Sequence, residues 1–222
     1  MDFSEFVLMA STTRLNEIER AKQYADAVEF RLDLADAGVD ALDVSLPLPV
    51  LVTNRVKGEG GEAAPTTDRL DRLCRAVKQP TVKAVDIELS TLTDGDGERV
   101  VDQAREHDVT VVVSTHDFEE TPNRDRLLSL LTQADELGDV AKLAVTAKNR
   151  RDALTLLSVT EETTRNGRTV ATMAMGEAGR HSRVVAPLYG SRIGYAPLSG
   201  EHATAPGQYD LETFRQLYES LR

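Results

Sequence analysis

Short apolar, β-branched runs alternate along this chain with segments whose apolar residues recur at helical spacing. The runs that read as strands are Phe6–Met9, Ala27–Asp33, Pro49–Arg55, Thr81–Leu89, Val109–Ser114, Val140–Val145, Arg168–Met175 and, more weakly patterned, Tyr189–Tyr195. The segments between them predict helices over Asn16–Ala25, Thr66–Val77, Asp96–His107, Asn123–Leu137 and Arg151–Thr164. Shorter helices are expected near Val39–Val44 and His181–Ala186, and a last amphipathic one over Asp210–Leu221. Thr66 or Thr67 is placed to cap the second of these helices, and Asp210 the last. Eight strands alternating with helical segments predict an α/β fold, a single (β/α)8 TIM barrel over residues 1–222. A doubly wound sheet would use fewer strands and open on a glycine-rich turn. The loop Gly58-Glu59-Gly60-Gly61 lacks the spacing of a phosphate-binding motif.

The barrel reading changes the meaning of the second strand. Glu29, Arg31 and Asp33 alternate with apolar neighbours. On an open sheet they would face solvent. In a closed parallel barrel one face meets the helices and the other fills the barrel, so Glu29 and Arg31 are expected to point inward as a charged pair.

Two further stretches carry candidate chemistry. The run Val140–Val145 holds one lysine, Lys142, among apolar residues. A buried amine is costly as a cation, and desolvation favours the neutral, nucleophilic form. The bland reading is a strand-end lysine reaching out to water. The preceding run ends in Thr115-His116-Asp117-Phe118, which puts His116 near the end of the adjacent strand. A histidine beside an amine nucleophile suits proton transfer next to a carbonyl, whereas an isolated loop histidine more often caps a helix. Ser11, Glu29, Arg31, Arg55, Glu59, His116, Lys142 and Arg183 all fall at strand ends or in the loops that follow, the rim where barrel enzymes gather their catalytic groups. Arginines around one lysine suit a small, hydroxylated, anionic substrate.

Composition narrows the classes. Hydrophobic residues make up 41% of the 222 positions, as in a globular chain. The single cysteine, Cys74, excludes an internal disulfide and reads as a core thiol. The apolar runs are too short to span a membrane, and the N-terminus lacks a signal-peptide pattern, so a soluble cytoplasmic protein is expected. The net charge is −11, with 37 acidic and 26 basic residues, which argues against nucleic acid as the main partner. Only six of the bases are lysines. An acidic, lysine-poor surface fits work in high salt, where screening weakens self-repulsion. The four histidines, His107, His116, His181 and His202, show no metal-ligand spacing.

Eight short stretches in register then resemble the class I 3-dehydroquinate dehydratases: EFRLD from Glu29, TNR from Thr53, EGG from Glu59, DIEL from Asp86, STHDF from Ser114, AKLAV from Ala141, GRHSR from Gly179 and APGQ from Ala205. The resemblance implies an enzyme, a hydro-lyase of the shikimate pathway. Lys142 would form a Schiff base with the ketone of 3-dehydroquinate. His116 would remove the neighbouring proton and help the hydroxyl leave as water, giving 3-dehydroshikimate. Glu59 would orient His116, and Arg183 would hold the substrate carboxylate. Glu29, Arg31, Arg55 and Gln208 would bind hydroxyls or the carboxylate, with Ser11 nearby. It implies no metal and no organic cofactor, and often a homodimer, to which the C-terminal helix would contribute unless it simply covers the barrel. Three departures stand out. Thr204 occupies a position where the family typically has serine, the loop Leu198–Ala203 is slightly long, and Gly58 before Glu59 would loosen that carboxylate. Two other readings compete: a Schiff-base aldolase acting on a sugar phosphate, with Gly190, Ser191 and Arg183 as phosphate ligands, and a non-catalytic scaffold barrel, which would need no buried lysine.

Overall fold

The structure, a computed structural model, describes residues 1–42, 45–198 and 207–222. Among these the strands are β1 Val7–Thr12, β2 Ala27–Arg31, β3 Val50–Thr53, β4 Val82–Glu88, β5 Thr110–Asp117, β6 Val140–Thr146, β7 Val170–Met175 and β8 Ile193–Pro197. They form one sheet in the order β7-β6-β5-β4-β3-β2-β1-β8, and every ladder is parallel. At the seam between β7 and β8, Val170 bridges to Ser191, and the Arg192 N–H donates to the Val170 carbonyl at 2.7 Å. The Thr172 N–H also donates to Ser191 Oγ at 2.9 Å, which brings the barrel close to full closure. The expected (β/α)8 barrel is what forms.

The helices are α1 Ile18–Ala21, α2 Thr67–Ala76, α3 Leu89–Asp94, α4 Glu98–Glu106, α5 Arg124–Leu137, α6 Arg150–Arg165, α7 Ser182–Val185 and α8 Leu211–Ser220. Local chemistry accounts for several ends. Asn123 caps α5, Asn149 and Asp152 form a reciprocal capping box on α6, and Asp210 accepts the Thr213 N–H at the start of α8. Thr66 sits at the N-cap of α2 without capping through its side chain. The first helix is shorter than its pattern suggests: a 3₁₀ turn over Leu15–Glu17 precedes only four α-helical residues, although Ile18 and Ala21 do bury the predicted face. The expected segment Val39–Val44 is a 3₁₀ turn over Val39–Leu42, and Asp43 and Val44 lie outside the described residues. The strand expected over Tyr189–Tyr195 starts later, because Pro187 and Gly190 frame a 3₁₀ turn over Ala186–Tyr189.

Apolar residues divide into layers. The outward faces of the strands pack against the helices, with Phe30, Val52, Val85, Ile87, Leu127 and Leu156 among the buried residues. Leu8, Ala10, Val28 and Ala196 pack with Leu211, Phe214 and Tyr218 of α8, so this helix covers the barrel wall. Inside the barrel, Met9, Ala27, Leu51, Ala84, Val112 and Val140 form an apolar layer near the N-terminal ends of the strands. That layer closes one end and leaves the polar inward positions clustered toward the other. Among the described residues, no helix is long and apolar enough to cross a membrane.

Candidate active site

Period-two geometry assembles the site. On β5 and β6, Ser114 pairs in register with Lys142 and His116 with Ala144, so all four side chains share the inward face. On β2, Glu29 and Arg31 point inward by the same rule. Loops and later elements add Glu59 on the 3₁₀ turn Lys57–Glu59 after β3, Arg183 on α7 and Gln208 before α8. Ser11, Glu29, Arg31, Arg55, Glu59, His116, Lys142, Arg183 and Gln208 all line one cavity at the mouth of the barrel. Thr204 lies outside the described residues, as do Ala205 and Pro206 of the APGQ stretch, residues 199–203 of the long loop and with them His202.

Lys142 is 4% exposed, so it does not reach out to water. Its Nζ donates to Asp86 Oδ2 at 2.9 Å in a buried ion pair, and it lies 4.3 Å from the centre of the Tyr195 ring. Burial is therefore not the lysine's only circumstance: it also has a carboxylate partner. Asp86 also accepts from Arg55 Nη2 at 2.8 Å and Ser114 Oγ at 2.6 Å. Burial alone would raise this carboxyl, but the Arg55 guanidinium, then Lys142 and His116, hold it well below the usual carboxylate range.

Arg55 completes a buried chain of charge. It donates to Glu88 at 3.1 Å, and Glu88 also accepts from Arg69 at 2.8 Å. Burial opposes the Arg55 cation, yet the carboxylates of Asp86 and Glu88 outweigh it and raise its pKa. Lys142, Arg55 and Arg69 thus share one buried chain with the carboxylates of Asp86 and Glu88.

The pair expected between Glu29 and Arg31 does not form. Glu29 instead accepts from Ser11 Oγ at 2.7 Å and Thr53 Oγ1 at 3.0 Å. Arg31 makes a bidentate contact with Asp33, at 2.9 and 2.7 Å. The reason is steric: inward residues two apart on one strand stand about 6.6 Å apart, so the neighbouring strands and the following loop supply closer partners.

His116 and Glu59 do meet. Glu59 Oε2 accepts from the His116 backbone N–H and from Nδ1, each at 3.0 Å. An ionised carboxylate only accepts, so Nδ1 carries the proton and Nε2 is left as a base. Burial first, then the cations Arg55 and Lys142, hold His116 well below its ordinary 6.5. Burial raises Glu59, against the opposing pull of Arg55. Gly58 has open space where a Cβ would stand, whereas the two glycines after Glu59 are closely confined. Gly60 adopts φ +79° with a Phe118 ring carbon 2.3 Å from where a Cβ would stand, and at Gly61 a Cβ would meet the Arg55 carbonyl oxygen at 2.0 Å. Only glycine fits either place, which explains the EGG stretch. Burial alone pushes Arg183, 4% exposed, down to about 10.

Sequence reasoning missed the partners: Asp86, Ser114 and Thr53, the ring of Tyr195, and the linings Met173, Met175 and Phe118. Asp86 and Glu88 were visible as polar residues at period two in a strand buried on both faces, the same signal that drew attention to Glu29 and Arg31. Among the described residues, no group of three or more His, Cys, Asp or Glu is placed to hold a metal ion.

Comparison with known proteins places this geometry. The family profile described as type I 3-dehydroquinase matches residues 7–222. The 3-dehydroquinate dehydratase of Haloarcula marismortui is 52% identical over 100% of this chain and 99% of its own. The crystal structure of 3-dehydroquinate dehydratase from Geobacillus kaustophilus superposes with a TM-score of 0.85 at 29% identity, covering 98% of this chain and 91% of that one. A type I enzyme of Clostridium difficile, solved with covalently modified comenic acid, gives 0.82 at 26% identity and covers 98% of this chain and 92% of its own. The sugar-phosphate aldolase and scaffold readings are not favoured by these relatives. This chain belongs to the type I 3-dehydroquinase family, hydro-lyases that act on 3-dehydroquinate.

Proposed function

We propose that this chain eliminates water from 3-dehydroquinate through a Schiff base on Lys142, with His116 as the acid–base group. The observation that carries this reading is a single buried amine on β6 beside a neutral imidazole on β5, both lining one cavity. The Lys142 amine, once deprotonated, attacks the ketone, and loss of water from the carbinolamine gives a protonated imine. That cation is an electron sink and acidifies the adjacent carbon. His116 Nε2 takes the proton from that carbon, forming an enamine, and then returns it to the departing hydroxyl. Water leaves, the imine hydrolyses, and 3-dehydroshikimate is released with the lysine regenerated.

Asp86 stands beside the same nitrogen throughout, as counter-ion to the ammonium and then to the imine. Glu59 fixes the His116 tautomer. Arg183, a buried cation lining the cavity, takes the substrate carboxylate. Glu29, Arg31, Ser11 and Gln208, with Thr204, bind hydroxyls, and Arg55 acts on substrate from within its pairs with Asp86 and Glu88. The reaction needs no metal or organic cofactor, since the imine supplies the electrophile. The covalently modified ligand of the Clostridium difficile relative supports a covalent route.

The test is borohydride reduction in the presence of 3-dehydroquinate, followed by peptide mass mapping. A reduced adduct on the peptide holding Lys142 is expected. Labelling of the exposed Lys83 or Lys148 instead would overturn the assignment. We further propose a cytoplasmic homodimer. Leu154 on α6 is 67% exposed, and Leu188 and Tyr189 on the 3₁₀ turn before β8 are 50% and 43% exposed, apolar surface that a second copy would cover. Sedimentation of the parent against Leu154→Glu tests it. A parent that sediments as a monomer refutes it.

A further inference from the structure

Helix α3 has no counterpart in the sequence pattern, which carries β4 on to Leu89 and then falls silent until Asp96. It follows β4 directly and sets Ser90 in its first turn. Ser90 is exposed, yet its Oγ donates to Glu59 Oε1 at 2.8 Å. The other oxygen of the same carboxylate, Oε2, receives both donors of His116. Each oxygen of Glu59 is therefore held, one by the histidine and one by α3.

We infer that Ser90 is a positioning residue for the reaction: its hydroxyl locks the rotation of Glu59, so that Oε2 stays in line with His116 Nδ1. The inference rests on the roles proposed above for His116 and Glu59, and concerns how they are kept in register. The need for such a lock follows from the local geometry. Glu59 ends a single 3₁₀ turn, and Gly58 beside it has no neighbour near a would-be Cβ. A carboxylate held at one oxygen can pivot about that oxygen, and a pivot of a few tenths of an ångström is enough to misalign a hydrogen bond. The charged groups that face Glu59 do not replace the lock. Arg55 attracts it from the end of β3 but is committed to Asp86, Glu88 and Ser114, while Glu88 on β4 repels it. Phe118 beyond β5 packs on the neighbouring Gly60 with an apolar ring.

The hydroxyl also has a chemical effect. Burial favours the neutral form of Glu59, and the Ser90 hydrogen bond favours the ionised one. Neutral Glu59 no longer needs the Nδ1 proton, so His116 loses its fixed tautomer. Removing the Ser90 donor raises the carboxyl further, and the acid limb of the rate profile should move to higher pH.

The experiment compares the parent with Ser90→Ala, Ser90→Thr and Glu59→Gln, using the absorbance of the enone formed from 3-dehydroquinate across a pH series. Ser90→Ala is expected to lower kcat about three- to tenfold, less than the loss of a general base because the base remains. KM should stay within about twofold, and the acid limb should rise by about half to one pH unit. Ser90→Thr keeps the hydroxyl and should restore both. A merely structural role would change the melting temperature without moving the acid limb. If Ser90→Ala keeps the parent's kcat and acid limb while Glu59→Gln is slowed, the lock is refuted and the reading of Glu59 stands. If Ser90→Ala changes KM alone, Ser90 binds substrate and the inference falls. If Glu59→Gln turns over like the parent, the role of Glu59 falls first, and the lock with it.

Discussion

Asp86→Asn probes the centre of the buried charge chain. The substitution keeps size and shape but removes one negative charge where three donors converge: Lys142 Nζ at 2.9 Å, Arg55 Nη2 at 2.8 Å and Ser114 Oγ at 2.6 Å. Lys142 and Arg55, 4% and 3% exposed, have no route to water that would replace the lost partner. Breaking a buried ion pair from one side costs about 3–5 kcal/mol. For a domain of this size each kcal/mol moves the melting point by about 2–4 °C, so Tm should fall by about 6–20 °C. The penalty has a pH signature. Asp86 is held below its ordinary 3.8 in the folded chain, so its stabilisation is complete above that value and is lost as pH falls through the folded one. The gap in Tm between parent and variant should therefore be widest near neutrality and close in strong acid. Catalysis should suffer separately. In the proposed route the imine carries its positive charge on the same nitrogen that Asp86 faces, and a charge-assisted contact is worth about 1.5–3 kcal/mol, or about 10–150-fold in kcat. Calorimetry and the enone assay read the two effects. A variant melting within about 2 °C of the parent at neutral pH would refute the stability argument. A kcat within about threefold would refute the counter-ion role.

Other consequences are direct. His116→Ala should still form a covalent adduct with 3-dehydroquinate, seen by intact mass, while turnover drops by about 10²–10⁴-fold. A slow variant with no adduct would move His116 to the carbinolamine stage, and one within about tenfold of the parent would remove it from the mechanism. Chelation with EDTA should leave the rate unchanged, because the imine does the work of a Lewis acid; loss of activity restored by zinc or magnesium would contradict this. The acidic surface predicts that activity and Tm rise along a potassium chloride series, and best performance below physiological salt would sink that reading.

The fold was legible because parallel barrels write themselves in a simple code. Strands buried on both faces read as apolar runs, and the helices between them carry a 3.6-residue period. The failures occur where that code is short or interrupted. Helix α3 has six residues, too few for a period to emerge, and follows β4 without a turn residue between them. At β8 the ladder partner lies on one side only, with β1, so Pro197 is tolerated where a central strand would exclude it and the run looks weak. Cys74, expected as a core thiol, is half-buried and packs against the core from its edge.

For the site, location was easier to read than partnership, and the reason is geometric. Which residues face inward depends only on counting by two along each strand, the rule by which the sequence turned Glu29 and Arg31 inward, where both line the cavity. Which residues touch depends on the stagger between strands, which no single strand encodes. Glu29 accepts from Ser11, level with it on β1, and from Thr53 on β3, which stands level with Arg31, while Arg31 turns to Asp33 beyond the strand end. Lys142 stands level with Ser114, and Asp86 on β4 reaches the lysine across that small serine. A bulkier residue than serine at 114 would part the lysine from its carboxylate without touching either. The small side chain on β5 is thus as much a condition of the ion pair as the charges themselves. Ser114→Val should accordingly cost stability through the broken Asp86 contacts while leaving the Lys142 side chain chemically intact. Borohydride trapping that persists in that variant, alongside a lowered Tm, would separate the two contributions; a Tm equal to the parent's would show that the serine is a bystander.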